Sequence, residues 1–89
     1  MELSVSKNQL LDKLLAGNHK ACSQLVKKLL DNDIPVKQIY EDYLKAALYE
    51  IGELWERNEI SVATEHLASA IVESIINQIY LKEKTTGRK

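Results

Sequence analysis

The sequence is poor in the residues that most often advertise chemistry. It has a single cysteine, Cys22, so no disulfide can form within the chain. Cys22 falls on an apolar helical stripe and reads as a small buried hydrophobe. Two histidines and that one cysteine are too few for a self-contained zinc site. His19 has no carboxylate three residues before it, and Glu65 and His66 are adjacent, so the Glu-x-x-His pairing of di-iron bundles is missing as well. The three glycines are scattered and form no phosphate-cradling loop. No Ser-His-Asp grouping can be assembled, and a buried Cys22 is no nucleophile. No apolar run reaches membrane-spanning length, and no signal-peptide core opens the chain. A cytoplasmic protein without a membrane segment is the expectation. The formal net charge of -1 supplies no general pull toward nucleic acid or acidic lipid. A helix-turn-helix reading fails because neither candidate recognition helix is both basic and exposed.

What remains is the balance of one small folded domain: 89 residues, 45% hydrophobic and 28% charged. Its core is thin for independent stability. Lysines gather early (Lys7, Lys13, Lys20, Lys27, Lys28, Lys37), and the middle is acidic from Glu41 to Glu65, as solvated helix faces would be.

Four segments carry a helical period. Ser6 and Gln9 form a capping box ahead of the stripe Leu10, Leu11, Leu14, Leu15, and Gly17 stops that helix. Asn18 caps a second helix with Cys22, Leu25, Val26, Leu29 and Leu30 inward. Pro35 suits the first position of a third helix. Val36, Ile39, Tyr40, Tyr43, Leu44, Ala47, Leu48, Ile51 and Trp55 recur along it, over roughly 33 Å for about 22 residues. Gly52 costs that helix about 1 kcal/mol against Ala, which points to close approach by another helix or by something else. Asn58 suits the left-handed turn that ends it. Ser61 caps a fourth helix running to about Lys82, with Leu67, Ala70, Ile71, Ser74, Ile75, Gln78 and Ile79 along one side and Val72 and Ile76 widening the arc. Short connections predict an all-α, antiparallel four-helix bundle over residues 1–84, with 85–89 a polar tail or the start of a linker.

The candidate site lies where helix three ends and helix four begins. Trp55, the only tryptophan, is in phase with Leu48 and Ile51. Periodicity alone favours a core Trp closing the bundle, with its indole N–H partnered at the bundle end. Glu65 and His66 fall near the first turn of helix four, where the dipole favours a carboxylate and disfavours an imidazolium. A neutral imidazole both donates and accepts a hydrogen bond, which suits a polar ligand group. The plain reading makes Glu65 a helix-start residue and His66 a surface residue.

The stretch from Leu14 to about Tyr80 resembles the helical cap domain of cobalamin-binding modules. Such caps occur in methionine synthases, corrinoid methyltransferase proteins and cobalamin-dependent light-sensing regulators. The resemblance rests on residues 47–55, Ala-Leu-Tyr-Glu-Ile-Gly-Glu-Leu-Trp, and on residues 59–69, Glu-Ile-Ser-Val-Ala-Thr-Glu-His-Leu-Ala-Ser. A Trp followed after nine residues by Glu-His is its most specific element. The resemblance implies a cap over the upper axial face of a corrinoid, with adenosylcobalamin or methylcobalamin as cofactor. It implies that Trp55 and Val62 lie over the upper ligand, and that Glu65 and His66 contact that ligand or the corrin edge. It also implies a Rossmann-like partner domain, because the Asp-x-His-x-x-Gly loop that binds cobalt from below does not occur in this sequence. Where some light-sensing relatives place a His directly after the Trp, this chain has Glu56, and Asn58 stands where Gly is common. The implied role is cofactor binding without a catalytic group, within a methyl carrier or a sensor. The alternative is a stand-alone interaction bundle that exposes Trp55, Val62, Val72 and Ile76 and pairs with a second copy.

Overall fold

The computed structural model describes residues 6–87, with side chains described through Leu81. The chain is all-α. Helices α1 (Lys7–Leu15) and α2 (His19–Asp31) are followed by a short α3 (Val36–Gln38). A π-helical segment (Ile39–Leu44) then leads into α4 (Lys45–Glu56), and α5 (Val62–Gly87) completes the bundle. The backbone from residue 36 to 56 is one continuous rod. Four helical bodies result: α1, α2, the rod and α5.

Local chemistry sets the helix starts. Ser6 Oγ accepts from Gln9 N–H at 3.2 Å, and Ser6 N–H donates to Gln9 Oε1 at 2.8 Å, which completes the expected capping box. Asn18 Oδ1 accepts from Ala21 N–H at 3.1 Å. Ser61 Oγ accepts from Thr64 N–H at 3.1 Å. Pro35 sits one residue earlier than expected, at the N-cap of α3.

The helix ends share one device. After α1, α2 and α4 the chain makes the same paired closure. Asn18 N–H donates to Lys13 O and Gly17 N–H to Leu14 O. Ile34 N–H donates to Leu29 O and Asp33 N–H to Leu30 O. Glu59 N–H donates to Leu54 O and Asn58 N–H to Trp55 O. This is the Schellman pattern, and it needs a left-handed residue at its centre. Gly17, Asp33 and Asn58 supply it, with φ of 72°, 63° and 62°. Asp33 is the member that the sequence reading did not single out.

The core is a continuous cluster built from all four bodies. Leu10 and Leu14 of α1, and Cys22, Val26 and Leu29 of α2, are buried in it. The rod contributes Ile39, Leu44, Ala47 and Ile51. Each fully buried Leu or Ile contributes about 1.5–3 kcal/mol. The short α1 is the hub, packing against α2, α5, α4 and the π segment. The rod and α5 lie alongside with opposite ends together. Val36 and Leu44 share a groove with Ile76 and Ile79, while Gly52 and Trp55 share one with Glu65.

Two stripes differ from expectation. In the rod, Lys45 N–H donates to Tyr40 O, five residues back. That wider turn puts Ile39 and Leu44 on the same inward side and carries Tyr40 outward. In α5 the buried line is Ala68, Ile71, Val72, Ile75 and Ile79. Val72 is fully buried at its centre, whereas Leu67, Ala70 and Gln78 are exposed. The helix also runs past Lys82 to Gly87. Of the expected tail at 85–89, Arg88 and Lys89 lie outside the described residues.

Candidate functional site

The end of α4 and the start of α5 hold the site residues, and the turn between them is tightly specified. Arg57 caps α4, Asn58 takes the left-handed conformation, and Glu59 N–H closes on Leu54 O at 2.8 Å. Ser61 then opens α5, with Glu65 N–H donating to Ser61 O at 3.0 Å. Two rigid helix ends are thereby held beside each other.

Between them lies an open groove of about 510 Å³. Leu48, Tyr49 and Trp55 line it with apolar and aromatic surface, and Glu53, Glu56 and Glu65 line it with carboxylates. Gly52 is the remaining lining residue. Nothing lies within 4 Å of where a Cβ on Gly52 would stand. No helix uses the missing side chain for close packing, so the space over it is open to an incoming group.

The structure brings Trp55 and Glu65 together on this groove. Trp55 does not close the core: 47% of it is exposed on the last turn of α4. Periodicity could not foresee this, because the last turn of the rod is in phase with the core but extends past the side chains that would cover it. Glu65 is half-buried and accepts from Ser69 Oγ at 3.3 Å, one turn further along α5. Val62 and His66 are not among the groove's lining residues. They follow each other at i and i+4 on the same start of α5, both exposed, Val62 at 64%. Tyr49, not singled out from the sequence, is 71% exposed at the groove. Its signal was its place two turns before Glu56 in the stretch that carries the resemblance.

Electrostatics at the groove are one-sided. Arg57, the nearest cation along the chain, donates through Nε to Glu59 at 2.9 Å, with Glu53 a longer 3.8 Å from its Nη1. These carboxylates, Glu59 first, hold the guanidinium above its ordinary pKa. Both pairs are exposed and add little to stability. Cys22 lies away from this groove in the core, and burial pushes its thiol up to about 11, against a smaller opposing pull from Lys13.

The arrangement suits contact with a broad, largely apolar face. Among the described residues no three of His, Cys, Asp and Glu gather closely enough to hold a metal ion. What the site offers a corrin is an exposed indole and phenol, an uncovered Gly52, the apolar Val62 and hydrogen-bonding groups on Glu65 and His66. These fit the upper face of a cofactor whose metal is held from elsewhere. Among the described residues no helix is long and apolar enough to cross a membrane.

Comparison with known families agrees with this geometry. The chain matches the B12 binding domain family over residues 7–80, from the first residue of α1 to well into α5. Searches of curated proteins and of solved structures return no match. Because the family match takes in all four helical bodies and the groove between α4 and α5, the chain belongs to the B12 binding domain family, as a helical cap that binds a cobalamin-type cofactor.

Proposed function

We propose that this cap covers the upper axial face of a corrinoid held by a separate Rossmann-like domain, in a sensor-like or methyl-carrying module. The observation that supports it most is the groove itself: the Trp55 ring and the Glu65 carboxylate face one open space over Gly52. Cobalamin supplies a cobalt–carbon bond, and its reactions depend on a dry, shaped upper face. Trp55 and Val62 exclude water there. Glu65 accepts a hydrogen bond from an amide or hydroxyl at the corrin edge or on the upper ligand. Ser69 steadies that carboxylate from behind. His66, exposed at the start of α5, offers one donor and one acceptor. The pairing of Trp55 with Glu65 and His66 favours an adenosyl ligand over a methyl one, since a methyl group has nothing for a carboxylate to bind.

The test is a titration of adenosyl-, methyl- and hydroxocobalamin into the chain, followed by Trp55 fluorescence and corrin absorbance. Saturable quenching, tightest for the adenosyl form and weakened in Glu65→Ala and His66→Ala, is expected. Tighter binding of the methyl form would overturn the adenosyl preference, and no saturable binding of any form would overturn the cap reading for this chain.

A second reading draws on the exposure of Tyr49, Trp55, Val62 and Leu67. Such a patch favours pairing with a second copy when no cofactor covers it. Light scattering across a concentration series would show a dimer that cobalamin dissociates. A monomer at all concentrations would refute it.

A further inference from the structure

The groove between α4 and α5 carries more negative charge than an apolar cover requires. Glu53, Glu56 and Glu65 all line it, and no Lys or Arg does. The one nearby guanidinium is already engaged: Arg57 Nε lies 2.9 Å from Glu59, and only the longer 3.8 Å contact reaches Glu53. Glu56 has no ion pair or side-chain hydrogen bond and is exposed. Glu65 receives a hydroxyl hydrogen bond from Ser69, which leaves its charge uncancelled. The start of α5 opposes this with the partial positive charge of a helix end, roughly half a unit. That is less than the charge of two unpaired carboxylates.

In water these charges are screened and weak. A flat ligand laid over the groove removes that water, and each charge then acts through a lower dielectric. We infer that the carboxylates at 53, 56 and 65 make this cap selective for the charge of the corrinoid's upper face. The inference rests on the corrinoid reading above and adds a discriminating role for the three glutamates. A corrinoid with a neutral upper ligand, such as water, keeps a net positive charge at cobalt and is drawn in. One whose upper ligand is an anion, such as cyanide, has lost that charge and is held less tightly. Tyr49 and Trp55 strengthen the preference, because aromatic faces also favour a positive partner.

The experiment compares aquacobalamin with cyanocobalamin, both in mildly acidic buffer where the axial water keeps its protons. Affinities are read from Trp55 quenching at low and at high salt. About tenfold tighter binding of the aqua form is expected at low salt, shrinking at high salt as screening sets in. Glu56→Gln should lower the ratio several-fold. Glu50→Gln removes the same charge from α4 but at a separate cleft beside Lys7, and should leave the ratio nearly intact. Equal affinities, or a ratio indifferent to salt and to Glu56→Gln, would overturn the inference while leaving the cap reading in place. A shift of the corrin absorbance on binding the aqua form would mean that a side chain has replaced the water, and would overturn it too. Failure of both forms to bind would remove the corrinoid reading and this inference with it.

Discussion

The rod and α5 form a groove at each end of their contact, and the two grooves differ in kind. At the far end, Val36, Tyr40, Leu44, Ile76, Ile79 and Tyr80 line a space of about 140 Å³ without a charged group among them. At the near end the space is about 510 Å³, and carboxylates share it with Trp55 and Tyr49. Both ends expose aromatic rings, with Tyr40 at 41% close to Trp55 at 47%. Exposed aromatic surface alone therefore does not mark the site. Width, a missing side chain at Gly52 and charged groups beside the rings separate a place built for a ligand from a seam between helices.

The largest test is whether one core ties the two ends together. Ile75 is buried between them in α5. Ile75→Ala should cost about 2–5 kcal/mol and unfold both ends in a single transition, seen by circular dichroism and Trp55 fluorescence at the same denaturant concentration. Separated transitions would mean that the ends are independent units. High pH probes the core away from either groove. The Cys22 thiol, raised to about 11 from 9.0, keeps its proton in the fold after the unfolded chain has lost it. Stability should therefore hold below about pH 9 and fall as the pH rises from there toward 11. Cys22→Ala should flatten that slope in a pH series of denaturation curves.

Gly17→Ala comes next, and it acts near the start of α5. It forces a side chain into a left-handed turn and brings a Cβ to 2.8 Å from Leu67 Cδ2. A loss of about 1–2 kcal/mol is expected from the backbone alone; an unchanged melting temperature would show that the turn relaxes freely. Trp55→Ala and Tyr40→Ala then set the two ends against each other directly. The first should weaken cobalamin binding about tenfold, the second hardly at all. Equal effects in the titration would erase the distinction drawn here. The smallest effect has two signs. Gly52→Ala fills open space on a helix, so thermal melting should show a gain of up to about 1 kcal/mol. The same methyl group should weaken corrinoid binding, because it occupies the uncovered part of the groove.

Much of this fold was legible because it is written in local chemistry. Ser6, Asn18 and Ser61 cap helices through groups three residues away, and Gly17 and Asn58 turn the chain by their own backbone freedom. Asp33 was not legible, since Asp takes the left-handed conformation only when its neighbours' hydrogen bonds repay it. The inward face of α5 was misplaced for a different reason. That helix is apolar over a wide arc, and period alone could not choose between the lines through Leu67 and through Val72. Of the site, the family pattern marked Trp55 and Glu65, and the groove unites them. Tyr49 and the acidic lining were missed, because residues on different turns and different helices become neighbours only once the rod and α5 are side by side.

The π segment has a consequence for the whole rod. Its six residues take up one more residue per turn than an α-helix would, without breaking the axis. Everything from Lys45 onward is thereby set at a different bearing from Val36. Deleting one residue between Glu41 and Tyr43 would reset that bearing by about 100°. Ala47 and Ile51 would then swing off the core, and Trp55 would turn away from Glu65. The segment is the molecule's angular adjustment: it lets one unbroken helix meet α5 squarely at both ends and aims the indole where a ligand can find it.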